Sequence, residues 1–301
     1  MQIRDWLPLL GMPLMLLFVQ IIAIVLVMPM QAAGLVAFEN PSSVANPLIF
    51  IGMLLAFTLV LLVLLRTGGR RFIAAFIGFA LFMTFLYIFG ALSLLALGPT
   101  TAAAAGTLIG AVAVTALLYL YPEWYVIDIL GVLISAGVAS IFGISLEPLP
   151  VLVLLVLLAV YDAISVYRTK HMITLAEGVL ETKAPIMVVV PKRADYSFRK
   201  EGLNISEGEE RGAFVMGMGD LIMPSILVVS SHVFVDAPAV LWTLSAPTLG
   251  AMVGSLVGLA VLLYFVNKGN PQAGLPPLNG GAILGFLVGA ALAGSFSWLP
   301  F

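Results

Sequence analysis

Long apolar stretches separated by short polar intervals set the pattern of this chain. Nine of them approach or exceed the ~20 residues that a helix needs to cross a bilayer. They lie near Trp6–Met28, Leu48–Leu65, Phe72–Leu97, Thr101–Tyr121, Trp124–Ser145, Leu149–Tyr167, Phe214–Val235, Pro238–Phe265 and Pro276–Leu299. The pattern predicts an all-α polytopic membrane protein with nine transmembrane helices in a single domain over residues 1–301. Six helices fill residues 1–168, a polar loop follows over 169–212, and three helices fill 213–301. The first run is too long for a signal peptide and has no small-residue cleavage site behind it, so it reads as a retained helix. Within the loop, residues 171–183 predict a short amphipathic helix at the membrane surface. Ile186–Val190, bounded by Pro185 and Pro191, reads as a short strand.

Composition agrees with the pattern and narrows the chemistry. The chain is 62% hydrophobic and 9% charged, with a mean hydropathy of +1.16, which no soluble domain approaches. A formal charge of −2 argues against nucleic-acid binding. Without cysteine there is no disulfide, thiolate nucleophile or Cys-bound metal. With nine spans, all 13 Lys and Arg residues fall on one side, and the opposite loops hold none. By the positive-inside rule that side is cytoplasmic, with the N-terminus inside and the C-terminus external. The aromatic cluster Tyr119, Tyr121, Trp124 and Tyr125 marks an interface belt.

Two aspartates interrupt the apolar pattern, Asp162 in span six and Asp220 in span seven. A charged carboxylate at the middle of a membrane helix costs roughly 2.5–3.5 kcal/mol, so it faces something polar or does chemistry. Asp162 lies six residues before Arg168 and Asp220 six residues after Phe214. At 1.5 Å per residue both sit about 9 Å below the cytoplasmic boundary, on sequential helices that can face each other. Two carboxyls at close range share a proton. One can then activate water while its protonated partner polarises a substrate carbonyl, which is aspartic-protease chemistry. Glycines 217 and 219 strip side chains from the surroundings of Asp220, so a backbone can approach. Pro224 cannot donate to the Asp220 carbonyl, and Pro276 and Pro277 would leave carbonyls free near the start of span nine. A substrate helix must unwind before it is cut. Ile186–Val190 and the backbone around Pro277 are the segments expected to take it up as an added strand.

Tyr161-Asp162, Gly217-Met218-Gly219-Asp220 and Pro276-Pro277-Leu278 resemble the YD, GxGD and PAL motifs of the presenilin and signal peptide peptidase family. The resemblance covers most of the chain, including the nine spans and the long loop between six and seven. It implies a presenilin-like fold and an intramembrane aspartyl protease that hydrolyses peptide bonds within or near transmembrane helices. It makes Asp162 and Asp220 the catalytic pair. Tyr161, Gly217, Met218, Gly219, Pro276, Pro277 and Leu278 would line the substrate site. Pro277 stands where the family has alanine. The stretch around Asp220 is closer to signal peptide peptidases, whereas the N-inside orientation is presenilin-like. This mixture points to a microbial, archaeal homologue.

Other readings compete. A proton- or ion-coupled secondary transporter, or a channel, could use the same carboxylates, although no inverted repeat is visible. Asp128 is a rival acid, but no glycine adjoins it, and an interfacial or helix-packing role fits better. His232 beside Ser230 and Ser231 lacks the signals of a serine protease site, and His171 reads as a solvated loop residue. No HExxH is present, so neither a metal nor any cofactor is expected. Gly106/Gly110, Gly250/Gly254/Gly258 and Gly281/Gly285/Gly289 have the spacing of close helix packing. The same spacing admits a homo-oligomer. The expected partners are transmembrane-helix peptides and membrane lipid, with no nucleic acid, in the cell membrane.

Overall fold

The structure is a computed structural model that describes residues 6–67, 69–169, 187–192, 196–201, 213–266 and 272–299. Nine apolar helices make up most of it. They are α1 (Trp6–Ala32), α2 (Ala45–Arg66), α3 (Arg70–Leu97), α4 (Thr101–Leu120), α5 (Trp124–Ser145), α6 (Pro148–Ile164), α7 (Met218–Phe234), α8 (Ala246–Val266) and α9 (Leu275–Ala293). Eight are long and apolar enough to cross a membrane by length and composition, and α7 is shorter, with 17 residues. The amphipathic helix expected over 171–183 lies outside the described residues, as does His171.

The boundaries follow local chemistry. The Thr100 side chain accepts the Ala103 amide at 3.1 Å and caps α4. Pro122 and Glu123 separate α4 from α5, as the sequence suggests. Pro148 opens α6, where its missing N–H costs nothing. Gly294, at φ +63°, closes α9 in the left-handed conformation that favours glycine.

The interior forms around α5. Its buried face includes Ile127, Ile134, Ala136, Ala139 and Ile144, and it packs against α1, α3 and α7. Helix α2 is peripheral, and Leu48, Met53, Leu59 and Val63 point outward from it. Such outward apolar rows are what a lipid-facing helix presents. The closest helix pair is α8 with α9. Glycines 250, 254 and 258 face glycines 281, 285 and 289 backbone to backbone, so a Cβ at any of them would strike a carbonyl of the other helix. The spacing in the sequence therefore serves contact within the chain.

Two of the predicted spans begin differently. Span seven was expected from Phe214, but Ala213–Gly217 is a strand, β2, and the helix starts at Met218. Its partner β1 (Met187–Pro191) realises the expected strand one residue later than drawn. The two pair antiparallel, with Val188 opposite Met216, Val189 opposite Val215 and Val190 opposite Phe214. Span eight was expected from Pro238. Instead, a small hairpin of β3 (Ala239–Leu241) and β4 (Leu244–Ser245) precedes α8. Its turn places Trp242 at φ 54°, 95% exposed.

Candidate active site

Helix α6 carries Asp162 on its inward stripe. Val151, Leu154, Leu155, Leu158 and Asp162 recur at helical spacing and are all buried, Asp162 being 6% exposed. Beyond Ile164 the chain widens into a π-helical turn, Ser165–Thr169, and the Ser165 hydroxyl donates to the Asp162 carbonyl at 2.9 Å. Such turns recur at functional sites because they re-aim a side chain. Here the turn carries Tyr167, whose hydroxyl donates to Gln272 Oε1 at 2.7 Å and accepts the Ala273 amide at 3.2 Å.

Residues 272–275 run between the two aspartates. The Leu275 amide donates to Asp162 Oδ2 at 3.0 Å. It is a first-turn amide of α9, which has no partner inside its own helix. Gly274 precedes it. On its other side Gly274 abuts Asp220. A methyl group at Gly274 would stand 2.9 Å from Asp220 Oδ2 and 3.0 Å from its Cγ. The Gly274–Leu275 backbone thus lies between the two carboxyl groups. Farther up, Asn279 is fully buried and donates from Nδ2 to the Leu155 carbonyl at 3.0 Å, tying α9 to α6.

Asp220 arrives by a different route. Strand β2 ends at Gly217, the N-cap of α7, and Asp220 falls in the first helical turn. The N-terminus of a helix favours a negative group there. Asp220 is partly buried. Because α7 starts at Met218 rather than Phe214, Asp220 stands at a helix end and not a turn and a half inside. Asp162 lies two residues before α6 widens into the π-helical turn.

The remaining predicted site residues divide. Gly217 lines the site, its Cβ position being 3.7 Å from Asp220 Oδ2, and Gly219 faces open space. Tyr161 is partly buried beside Asp162. Met218 is buried with its methyl against Gly131 of α5, and Leu278 is fully enclosed in the core. Pro276 and Pro277 occupy the first turn of α9, where absent N–H groups are harmless. The Pro277 carbonyl faces Gly258 of α8. Gly274, Tyr167 and Asn279 were not singled out by the sequence. Gly274 and Asn279 flank the Leu275–Leu278 run that holds the third motif, and Tyr167 follows the first by five residues.

The side chains outside the site resolve the rival readings. Ser230 donates to the Leu146 carbonyl at 2.7 Å and Ser231 to the Val228 carbonyl at 2.8 Å, so both hydroxyls serve packing. Asp128, 4% exposed, accepts the Val189 amide on Oδ1 at 2.7 Å. This bond fixes the polarity of the small sheet. If the Val189 amide points to α5, then Val188 and Val190 make the ladder bonds to β2. The outer edge of β1 is therefore occupied at Val189, and Pro191 has no amide to offer. Val215, opposite Val189, must direct its amide and carbonyl away from β1, to the edge of β2 that no other strand occupies among the described residues. Among the described residues no cluster of His, Cys, Asp and Glu could hold a metal ion.

Comparison with known proteins agrees with this arrangement. The family model described as signal-peptide peptidase, presenilin aspartyl protease matches residues 13–295. Two solved structures, each of a presenilin family intramembrane aspartate protease, are similar throughout. The one in space group C222 is 84% identical, covers 95% of this chain and 100% of its own, and superposes with a TM-score of 0.73. The one in space group P2 is 83% identical, covers 96% and 100%, and has a TM-score of 0.72. A comparison with curated proteins finds no match. The transporter alternative has no support among these relatives. This chain belongs to the signal-peptide peptidase and presenilin aspartyl protease family, and it is an intramembrane aspartate protease.

Proposed function

We propose that Asp162 and Asp220 are the catalytic pair and that they cleave transmembrane-helix substrates with water as nucleophile. The observation that carries this is the turn into α9, where the Leu275 amide is bonded to Asp162 and the adjoining Gly274 is in contact range of Asp220. One aspartate, ionised, takes a proton from water as the oxygen attacks the scissile carbonyl. Its protonated partner donates to the carbonyl oxygen. Collapse of the tetrahedral species breaks the C–N bond, and the proton taken from water passes to the leaving amine. No metal enters this scheme.

The substrate must present an unwound backbone, and the edge of β2 that carries no other strand among the described residues leads directly into Gly217 and Asp220. An extended segment added along Phe214–Gly217 would have its amides and carbonyls satisfied while reaching the carboxyls. The edge geometry moves this role from Ile186–Val190, where the sequence suggested it, to β2. Gly219 leaves open space beside the pair. The protein is read as lying in the cell membrane among lipids, with its N-terminus cytoplasmic, and the basic residues support that orientation.

The test is cleavage of a model transmembrane peptide by purified protein. Asp162→Ala and Asp220→Ala should each remove activity to background while the protein keeps its helical content. The double variant should be no worse, because the acid and the base act as a unit. Clear turnover by either single variant would reject the pair.

A further inference from the structure

We infer that Asp128 is a positioning residue, which clamps β1 to α5 and thereby holds the β2 edge in register for substrate. This rests on the reading that substrate adds to β2, and no motif of the resemblance includes this aspartate.

The observations converge on the first turns of α5. Asp128 is buried, and its Oδ1 receives the Val189 amide, which the ladder to β2 leaves unused. Its other oxygen, Oδ2, has no hydrogen-bond partner among the described residues. A carboxyl kept in so apolar a place with half of its bonding capacity unused is costly unless the single bond matters. Around it the same helix end grips the loop again. Ser197 donates to Glu123 Oε1 at 2.8 Å, and Trp124 packs against the small cluster of Val189, Tyr196 and Ala213. Helix α5 also meets α7, with Met218 seated on Gly131 one turn beyond Asp128. The helix that carries the clamp therefore also seats the residue that opens the Asp220 helix.

The bond has a second consequence. A two-stranded sheet has two edges, and both can template an added strand. Asp128 occupies β1's edge at Val189, so an incoming backbone finds its outward groups at Val215. Losing the clamp would loosen the register of β1 against β2 and open a second, unproductive edge away from Asp220. Binding of an unwound substrate should suffer, whereas the aspartate pair, held by Gly274 and Leu275, should not.

Three variants of the full-length protein separate this from general damage. Asp128→Leu removes the acceptor and keeps an apolar filling. Asp128→Asn retains an acceptor oxygen without charge. Val189→Pro deletes the donor, and because that amide points away from β2 it leaves the ladder bonds in place. With a transmembrane peptide substrate, Asp128→Leu and Val189→Pro should each raise KM at least fivefold with kcat within twofold. Combining them should add nothing, since both remove one bond. Asp128→Asn should stay within twofold of the parent in both constants. Hydrogen exchange at the Val189 amide, read without any catalysis, should quicken at least tenfold in Asp128→Leu and little in Asp128→Asn. Unchanged exchange or unchanged KM in Asp128→Leu would overturn the proposal. So would a kcat loss in Asp128→Asn, which would mean that the proton and not the acceptor matters. Because the exchange readout needs no turnover, it stands or falls apart from the assignment of Asp162 and Asp220.

Discussion

Gly274 is the residue on which the site's geometry turns, and it makes a sharp prediction. Its φ of −78° and ψ of −41° are open to any residue, so alanine there carries no backbone strain. The added methyl group would nevertheless press on the Asp220 carboxyl group, 2.9 Å from Oδ2. Gly274→Ala should therefore keep the fold and lower kcat by roughly tenfold to a hundredfold, the scale on which small misplacements act. Gly219→Ala is the contrast, since nothing lies within 4 Å of its Cβ position. Its thermal stability should equal the parent's, and KM should rise if a substrate backbone fills that space. Equal kinetics for the parent and Gly274→Ala would show that the carboxyl group has room to move aside. Asp162 and Asp220, the proposed pair, stand out in the sequence because each is a charge in an apolar run. Gly274, Tyr167 and Asn279 do not. Their roles come from one helix end meeting another over a hundred residues away, which leaves no local mark.

Elements were legible where length alone decides. An apolar run of twenty residues has few options in a bilayer, and the spans from α1 to α6 were drawn close to where they lie. The misreadings fell where polar backbone is itself satisfied inside the protein. Ala213–Gly217 is apolar and continuous with α7, so its strand character depends on β1, supplied across a loop. The hairpin before α8 was hidden in the same way, by Val240, Leu241 and Trp242. The glycine seam was legible as spacing, but its partner was not, because an intramolecular and an intermolecular contact have the same signature. The seam carries its own prediction. Gly254 meets the Gly281 carbonyl and the Gly285 backbone, so Gly254→Leu must part α8 from α9 and shift the first turn of α9 that holds Asp162. The loss of stability should reach or exceed the roughly 1–3 kcal/mol of ordinary overpacking, and cleavage should fall with it. Gly52→Leu on peripheral α2, where nothing lies within 4 Å, should change neither. Similar thermal unfolding of the two variants in detergent would contradict the seam's role.

At the scale of the whole molecule the open quantity is orientation, and it follows from the parity of crossings. Helix α7 is the weakest crossing because it has only 17 residues, about 26 Å at 1.5 Å per residue. That is at the lower end of what a bilayer core of about 30 Å admits. The deficit falls at the end where β2 and Asp220 lie, and there the neighbouring backbone is paired in the sheet and not left to lipid. A short helix completed by protein at one end can still cross. Nine crossings would be an odd number and would put the two chain ends on opposite faces. On that arrangement Arg4, the group Arg66, Arg70 and Arg71, those from Arg168 to Arg211, and Lys268 would all share one face. The connections after α1, α3, α5 and α7, and the end after α9, contain none. A tag at the N-terminus should therefore resist protease added to intact cells, and a tag after Phe301 should be removed. If α7 failed to cross, the connection before α8 and the start of α9 would exchange faces, Lys268 would stand outside, and both tags would be protected together. That single result would refute the nine-crossing arrangement, whatever the fate of the catalytic assignments.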